Sequence, residues 1–87
     1  MNVLEIAATL RAFVQNRFSV PEDDPEFTDD VNLFSYGYVD SFGALDLYAF
    51  VEKEFAVQFT ESDLVAAPLN TIREMSTFIA SRNRKDF

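Results

Sequence analysis

The residue with the clearest chemical potential is Ser41, which lies in the segment GYVDSFG at residues 37–43, directly before a run of helix-forming residues. Asp40 precedes it and is suited to cap the first turn of that helix. Free backbone N–H groups and the positive end of the helix dipole meet there, so a phosphodiester on Ser41 would be stabilised. An Asp-Ser pair considered alone is more often just two capping residues. The rest of the sequence is therefore needed to decide whether Ser41 has a chemical role.

The chain contains no cysteine and no histidine. It therefore lacks the usual nucleophile–base pairs that depend on these side chains. Asp40 is a poor base for Ser41, because adjacent side chains at a helix start point apart and an unperturbed carboxylate is weakly basic. We expect no catalysis by the chain itself. If it handles thioesters, the sulfur must come from an attached cofactor.

An acidic segment at residues 22–30 raises the alternative of a calcium site. An EF-hand loop requires glycine at its sixth position and a bidentate glutamate at its twelfth. A loop that starts at Asp24 places Asp29 and Ser35 at these positions. The segment is therefore interpreted as a solvated acidic loop, and no metal site is predicted.

Composition excludes several classes of function. The 87 residues, of which 48% are hydrophobic, fit a single domain spanning residues 1–87. The net charge of −8 disfavours binding to nucleic acid or to anionic lipid. The N-terminus lacks the basic region of a signal peptide, and no apolar run approaches a membrane span. We expect a cytoplasmic monomer that neither binds nucleic acid nor inserts into a membrane.

Hydrophobic spacing and capping residues predict an all-α fold, a four-helix bundle with a short third helix and a long loop between helices one and two. The predicted elements are helix one at about 3–17, a loop at 18–40, helix two at about 41–55, a short helix at about 61–66 and helix four at about 72–83. Asp40 is the expected N-cap of helix two. Thr60 and Asp63 form a capping box for the short helix. Thr71 and Glu74 form another for helix four.

The long loop should be only partly free of the core. Pro21 and Pro25 disfavour regular structure there, and a loop of this length in so small a domain is often functional. Val31, Leu33 and Phe34 follow the acidic segment. We expect these apolar side chains to hold the loop against the core.

Helix two is predicted to be apolar on two faces. Residues at helical spacing form its core face: Ala44, Leu47, Tyr48, Val51 and Phe55. A second stripe comprises Phe42, Leu45 and Ala49. The second stripe indicates a docking surface, where Asp46 and Glu52 would pair with basic side chains of a partner. The small residues Gly43 and Ala49 would leave room for that partner. The alternative is that Phe42 and Leu45 cover the core beneath the long loop.

Motifs along most of the chain occur in an order typical of one family. They are Leu33-Phe34 in the long loop, Gly37, Asp40-Ser41 followed by an apolar residue, Leu45 and Leu47, residues 52–55, and Thr71-Ile72 at the start of the last helix. This ordered set resembles the acyl and peptidyl carrier proteins. Two features depart from the housekeeping fatty-acid carrier: Tyr38 and Val39 both stand between Gly37 and Asp40, and Lys53 interrupts the acidic run. The Asp-Ser-apolar-Gly pattern at residues 40–43 resembles D-alanyl or specialised-pathway carriers more closely.

The resemblance implies that Ser41 carries 4′-phosphopantetheine, which a separate phosphopantetheinyl transferase transfers from coenzyme A. The thiol of this arm would hold acyl or aminoacyl intermediates as thioesters. The implied partners are an acyl- or aminoacyl-loading ligase and downstream acyl-transfer enzymes. The residues predicted to contact them are Asp40, Phe42, Leu45, Asp46, Ala49 and Glu52.

A second interpretation is a small acidic helical adaptor, an interaction protein without a prosthetic group. It accounts for the negative charge and for the second apolar stripe, with Ser41 as a plain helix cap. It does not explain why the stripe begins at an Asp-Ser pair that follows a long loop.

Overall fold

The computed structural model describes residues 2–66 and 69–83. They form four helices: α1 (Val3–Arg17), α2 (Ser41–Phe55), α3 (Glu61–Ala66) and α4 (Ile72–Asn83). The described part of the chain contains no strand. The prediction of an all-α protein with a short third helix is confirmed. No helix among these residues is long and apolar enough to cross a membrane.

Buried apolar side chains from the three longer helices form one core. They include Ile6, Leu10 and Val14 of α1, Leu47, Val51 and Phe55 of α2, and Ile72, Met75 and Ile79 of α4. Burying each such side chain stabilises the fold by about 1.5–3 kcal/mol relative to exposure. Among the residues that the structure describes, α1 and α4 form the most extensive helix pair. Ala44 and Tyr48 of α2 pack against this core, so the predicted core face of α2 is confirmed.

The two predicted capping boxes are present. The Thr60 N–H donates to the Asp63 carboxylate at 3.0 Å, and the Asp63 N–H donates to the Thr60 hydroxyl at 3.1 Å. The Thr71 N–H donates to the Glu74 carboxylate at 3.1 Å, and the Glu74 N–H donates to the Thr71 hydroxyl at 3.0 Å. Arg82 of α4 also pairs with Asp63, which joins the start of α3 to the last turn of α4.

The loop between α1 and α2 is held against the helices, as predicted. Val31 and Leu33 are buried, and Phe34 is partly buried against the core. The Leu33 N–H donates to the carbonyl of Asn70 at 2.9 Å. Asp29 pairs with an arginine of α1, and its carbonyl accepts a hydrogen bond from the first turn of α4. These contacts therefore fix the position of the loop that leads into α2.

Candidate functional site

Ser41 is the first residue of α2, and it is exposed. The preceding turn places it there. Gly37 adopts a φ of +80°, a conformation that glycine reaches without a steric penalty. The Val39 N–H then donates to the carbonyl of Leu33 at 3.1 Å, and the Val39 side chain is buried. The buried side chain and this hydrogen bond fix the direction in which the chain enters the helix.

Asp40 is the N-cap of α2. Its carboxylate accepts a hydrogen bond from the Gly43 N–H at 2.7 Å, and its carbonyl accepts one from the Ala44 N–H at 2.9 Å. No acidic side chain lies in the first turn of the helix. The remaining N–H groups and the helix dipole there favour an anion bound to Ser41. A phosphate ester on this hydroxyl is compatible with its surroundings.

The first turn of α2 packs closely against the end of α1 at Gly43. A Cβ on Gly43 would lie 2.7 Å from Cε1 and 3.1 Å from Cζ of Phe18. The Phe18 ring therefore occupies the space beside this glycine, which is itself buried. The expectation that Gly43 leaves room for a partner is wrong, because Phe18 already fills that room.

The second apolar stripe of α2 faces away from the core. Phe42 is 81% exposed and Leu45 is 68% exposed, and Ala49 is also exposed. The alternative in which Phe42 and Leu45 cover the core beneath the long loop is therefore wrong. We name the surface formed by Phe42, Leu45 and Ala49 the apolar face of α2. It begins at the residue that follows Ser41.

The three carboxylates predicted to dock partners all bond within the chain. Asp40 caps its own helix, as described above. Asp46 pairs with Arg17, the last residue of α1. Glu52 accepts a hydrogen bond from the Phe59 N–H at 3.0 Å. Each of these carboxylates thus already has a hydrogen-bond or ion-pair partner within the chain.

Two tyrosines near the site have raised pKa values. Burial raises the pKa of Tyr48, whose ring packs against Phe59 with centroids 5.2 Å apart. Partial burial, and then a 3.0 Å hydrogen bond to Asp24, raise the pKa of Tyr38. Both phenols therefore stay neutral at physiological pH. The Tyr38–Asp24 bond also ties the acidic segment of the loop to the residues just before Ser41.

Sequence reasoning missed the contribution of Arg17 and Phe18 at the end of α1. The Arg17 guanidinium lies 5.3 Å from the centroid of the Phe18 ring and also reaches Asp46. No local pattern connects residues on two different helices. The only sequence clue was Gly43 near a helix start, where a close approach of another side chain needs a missing Cβ.

A family model described as a phosphopantetheine attachment site matches residues 8–79, which include Ser41 and most of the chain. The chain belongs to this family. The prediction that the chain is a phosphopantetheine-dependent carrier protein is therefore confirmed. No curated protein and no solved structure gives a significant match.

Family membership establishes the general role of this carrier. Such domains bind 4′-phosphopantetheine covalently and hold intermediates as thioesters on its thiol, without catalysing reactions themselves. They work with a phosphopantetheinyl transferase and with acyl-transfer enzymes. The exposed hydroxyl at the start of α2 fits such a group, because the helix terminus is suited to a phosphate.

Proposed function

We propose that Ser41 carries the 4′-phosphopantetheine and that this carrier presents acyl or aminoacyl thioesters to partner enzymes. The observation that supports this assignment is the exposure of Ser41 at the N-terminus of α2, behind the Asp40 cap. Among the described serines, Ser41 alone opens a long helix. Ser76, in contrast, is buried and bonded to a backbone carbonyl of its own helix.

In the transfer of phosphopantetheine from coenzyme A, the chain would contribute the Ser41 oxygen as nucleophile and the start of α2 as the surroundings of the phosphate. The Ser41 oxygen forms a bond to the phosphorus of the pantetheine phosphate, and the pyrophosphate bond of coenzyme A breaks. The nucleotide leaves with the electron pair, and a base on the transferase accepts the hydroxyl proton. The N–H groups of the first turn of α2 would then stabilise the charge of the phosphodiester.

We propose that partners dock beside Ser41 on the apolar face of α2. Asp40 caps the helix just before this face, Asp46 follows Phe42 at helical spacing, and Glu52 follows Ala49 at helical spacing. The exposure of Phe42 and Leu45 supports the proposal, because large apolar side chains exposed together on one helix are typical of interaction sites. The adaptor interpretation shares this surface, but the family match favours a carrier.

The proposed cargo class is that of a D-alanyl or specialised-pathway carrier. Phe42-Gly43 after the serine and Lys53 in the acidic run support this choice over the housekeeping fatty-acid carrier. The intact mass of the chain purified from its source cells, before and after thioester cleavage, would report the cargo. The loading ligase and the cytoplasmic location remain predictions.

The attachment site can be tested with a broad-specificity phosphopantetheinyl transferase and coenzyme A. We expect the intact mass of the wild-type chain to rise by one phosphopantetheine, and that of Ser41→Ala to stay unchanged. Ser35→Ala serves as the control, since Ser35 is an exposed serine in the preceding loop. Circular dichroism should show equal helix content in all three chains. Modification of Ser41→Ala would refute the assignment, and an unmodified but folded wild type would favour the adaptor.

A further inference from the structure

A groove with a volume of about 530 Å³ lies between α1 and α2, and the proposed carrier function makes no use of it. Both helices line it, and it is open to solvent rather than enclosed. Its volume lies within the range of about 300–1,000 Å³ that is common for binding clefts. Because it is open, a segment of another molecule could enter it without any movement of the core.

Two stacked aromatic rings line the groove where the helices meet. The rings of Phe13 and Phe50 have centroids 4.0 Å apart and an angle of 12° between their planes. Phe13 also contacts Phe18 edge to face at 6.2 Å, and Phe50 contacts Phe55 in the same way at 6.3 Å. These neighbours hold the two rings in place, yet each ring is only partly buried. The groove therefore presents a fixed apolar surface that the described residues leave partly uncovered.

The walls of the groove favour a helix over an extended segment as its occupant. They run in opposite directions, since Arg17 at the end of α1 pairs with Asp46 near the start of α2. Backbone groups inside these helices bond within each helix, so the walls offer an extended peptide no backbone partners. A helix satisfies its own backbone and can pack between two ridges of side chains. Ala8 and Ala12 are exposed, lie one turn apart and allow a close approach.

One carboxylate in the groove is available to a cation from another molecule. Glu54 lines the groove and is exposed. It forms no ion pair among the described residues, whose arginines all pair with aspartates elsewhere. Lys53 is adjacent to it in α2, but neighbouring side chains of a helix do not face each other. Since the chain also has a net charge of −8, a positively charged occupant would complement the groove.

The groove lies away from the proposed attachment site. Phe50 follows Ser41 by nine positions in α2. This separation corresponds to about 13 Å along the helix axis and about 180° around it. An occupant that contacts Phe50 therefore lies on the side of α2 opposite to Ser41. The groove and the serine can be engaged at the same time.

We infer that the groove between α1 and α2 is a second docking site, which binds a basic amphipathic helix of a partner protein while Ser41 stays accessible. Apolar side chains of that helix contact Phe13 and Phe50, and a lysine or arginine of the same helix pairs with Glu54. This site is distinct from the apolar face of α2 and goes beyond the proposed carrier function. Such a partner could retain the carrier while another enzyme acts at Ser41.

A second copy of the chain is a poorer occupant of the groove. Each copy carries a net charge of −8, so two copies repel each other at low ionic strength. A second copy would also bring another Glu54 close to the interface, and the arginines of its described residues are already paired. A basic helix from a different protein avoids both problems.

Selection from a displayed library of random peptides tests this inference, with the purified full chain as the target. Peptides of about 20 residues are suitable, because shorter ones form helices poorly in water. We expect the enriched peptides to share apolar residues at three- and four-residue spacing together with lysine or arginine. Fluorescence anisotropy of the most enriched peptide then gives its Kd for the wild type and for each variant.

The position of the bound peptide is tested with two matched variants of exposed alanines. Ala12→Gln places a longer polar side chain in the groove and should weaken binding by at least about tenfold. Ala49→Gln makes the same change on the apolar face of α2 and should leave Kd within about twofold of wild type. Circular dichroism should show equal helix content in all three chains.

The predicted ion pair is tested by the salt dependence of Kd. Glu54→Gln should weaken binding about threefold at about 0.05 M NaCl and have little effect at about 0.5 M NaCl. Glu61→Gln changes the net charge equally but lies in α3, so it should match wild type at both concentrations. Saturating peptide should leave kcat/KM for phosphopantetheine transfer to the wild type unchanged.

Several results would overturn the inference. They are the absence of enriched peptides, binding that is weakened by Ala49→Gln but not by Ala12→Gln, and inhibition of phosphopantetheine transfer by the peptide. A wild-type dimer that Ala12→Gln converts to a monomer would assign the groove to a second copy. Tighter peptide binding by a chain that ends at Asn83 would assign it to residues 84–87. Failure of the Ser41 assignment is distinguishable from all of these, because peptide affinity does not depend on phosphopantetheine.

Discussion

At the scale of single residues, the position of Ser41 depends on Gly43, because this residue has no side chain. The Phe18 ring lies so close to Gly43 that a Cβ atom on residue 43 would clash with it. The same glycine donates its N–H to Asp40 at 2.7 Å. One residue therefore joins the helix cap, the end of α1 and the first turn that contains Ser41.

We predict that Gly43→Ala destabilises the protein, although alanine is the better helix former. The new Cβ would displace Phe18, at a cost of about 1–3 kcal/mol, which exceeds the roughly 1 kcal/mol gained in helix propensity. Urea denaturation measures the difference in unfolding free energy. In the Gly43→Ala background, Phe18→Leu should recover stability, whereas the same change in wild type should reduce it. A more stable Gly43→Ala would contradict the proposed contact.

At the scale of elements, α3 is short and depends on interactions outside itself. The Thr60 N–H and hydroxyl bond Asp63 at the start of α3, and Arg82 of α4 pairs with the same carboxylate. The backbone hydrogen bond from Thr60, followed by its hydroxyl and by Arg82, lowers the pKa of Asp63 below its usual value of 3.8. The charged carboxylate of Asp63 thus connects α3 to α4.

We predict that the contribution of Asp63 to stability is lost in acid. Because its pKa is lowered by folding, its charge stabilises the native state above pH 3.8, and this effect disappears as the pH falls through the folded-state pKa. Asp63→Asn keeps an acceptor oxygen and removes the charge. Its Tm should lie below that of wild type near neutral pH, and the difference should shrink in acid.

The matched control for this prediction is Glu61→Gln, which removes an exposed carboxylate from the same turn. Thermal unfolding followed by circular dichroism across the acid range measures all three chains. A Tm difference between wild type and Asp63→Asn that persists unchanged into strong acid would contradict the charge-based account.

At the scale of the whole molecule, the basic side chains hold the loop and the helices together. Among the described residues, Arg11 pairs with Asp29, Arg17 with Asp46, Arg73 with Asp30 and Arg82 with Asp63. Two of these pairs fasten the long loop to α1 and α4. Several carboxylates are therefore paired within the chain. For this reason the net charge of −8 does not indicate which part of the surface presents unpaired negative charge to a partner.

The fold and part of the site follow from local sequence patterns. Helical spacing identified the core side chains Leu47, Val51 and Phe55, and the capping boxes marked the starts of α3 and α4. Each of these signals acts within a few residues of chain, which is why sequence alone could reveal it. The exposure of Phe42 and Leu45 was also anticipated from the second apolar stripe.

The contacts that join distant segments could not be predicted in the same way. Arg17 and Asp46 are 29 positions apart, and Phe18 meets Gly43 on another helix. Which side chains meet depends on how α1 packs against α2, and periodicity within one helix does not specify that packing. For this reason the sequence placed Gly43 on a free surface and treated Asp46 as available to partners.

The most direct test of the account is to locate the phosphopantetheine on the modified chain. Cleavage after Arg17 and Lys53 releases residues 18–53, which contain Ser19, Ser35 and Ser41. Fragmentation of this peptide by mass spectrometry assigns the added mass to one residue. We predict that all of it lies on Ser41. Phosphopantetheine on Ser19 or Ser35, or on a peptide from another part of the chain, would contradict the assignment of α2 as the attachment helix.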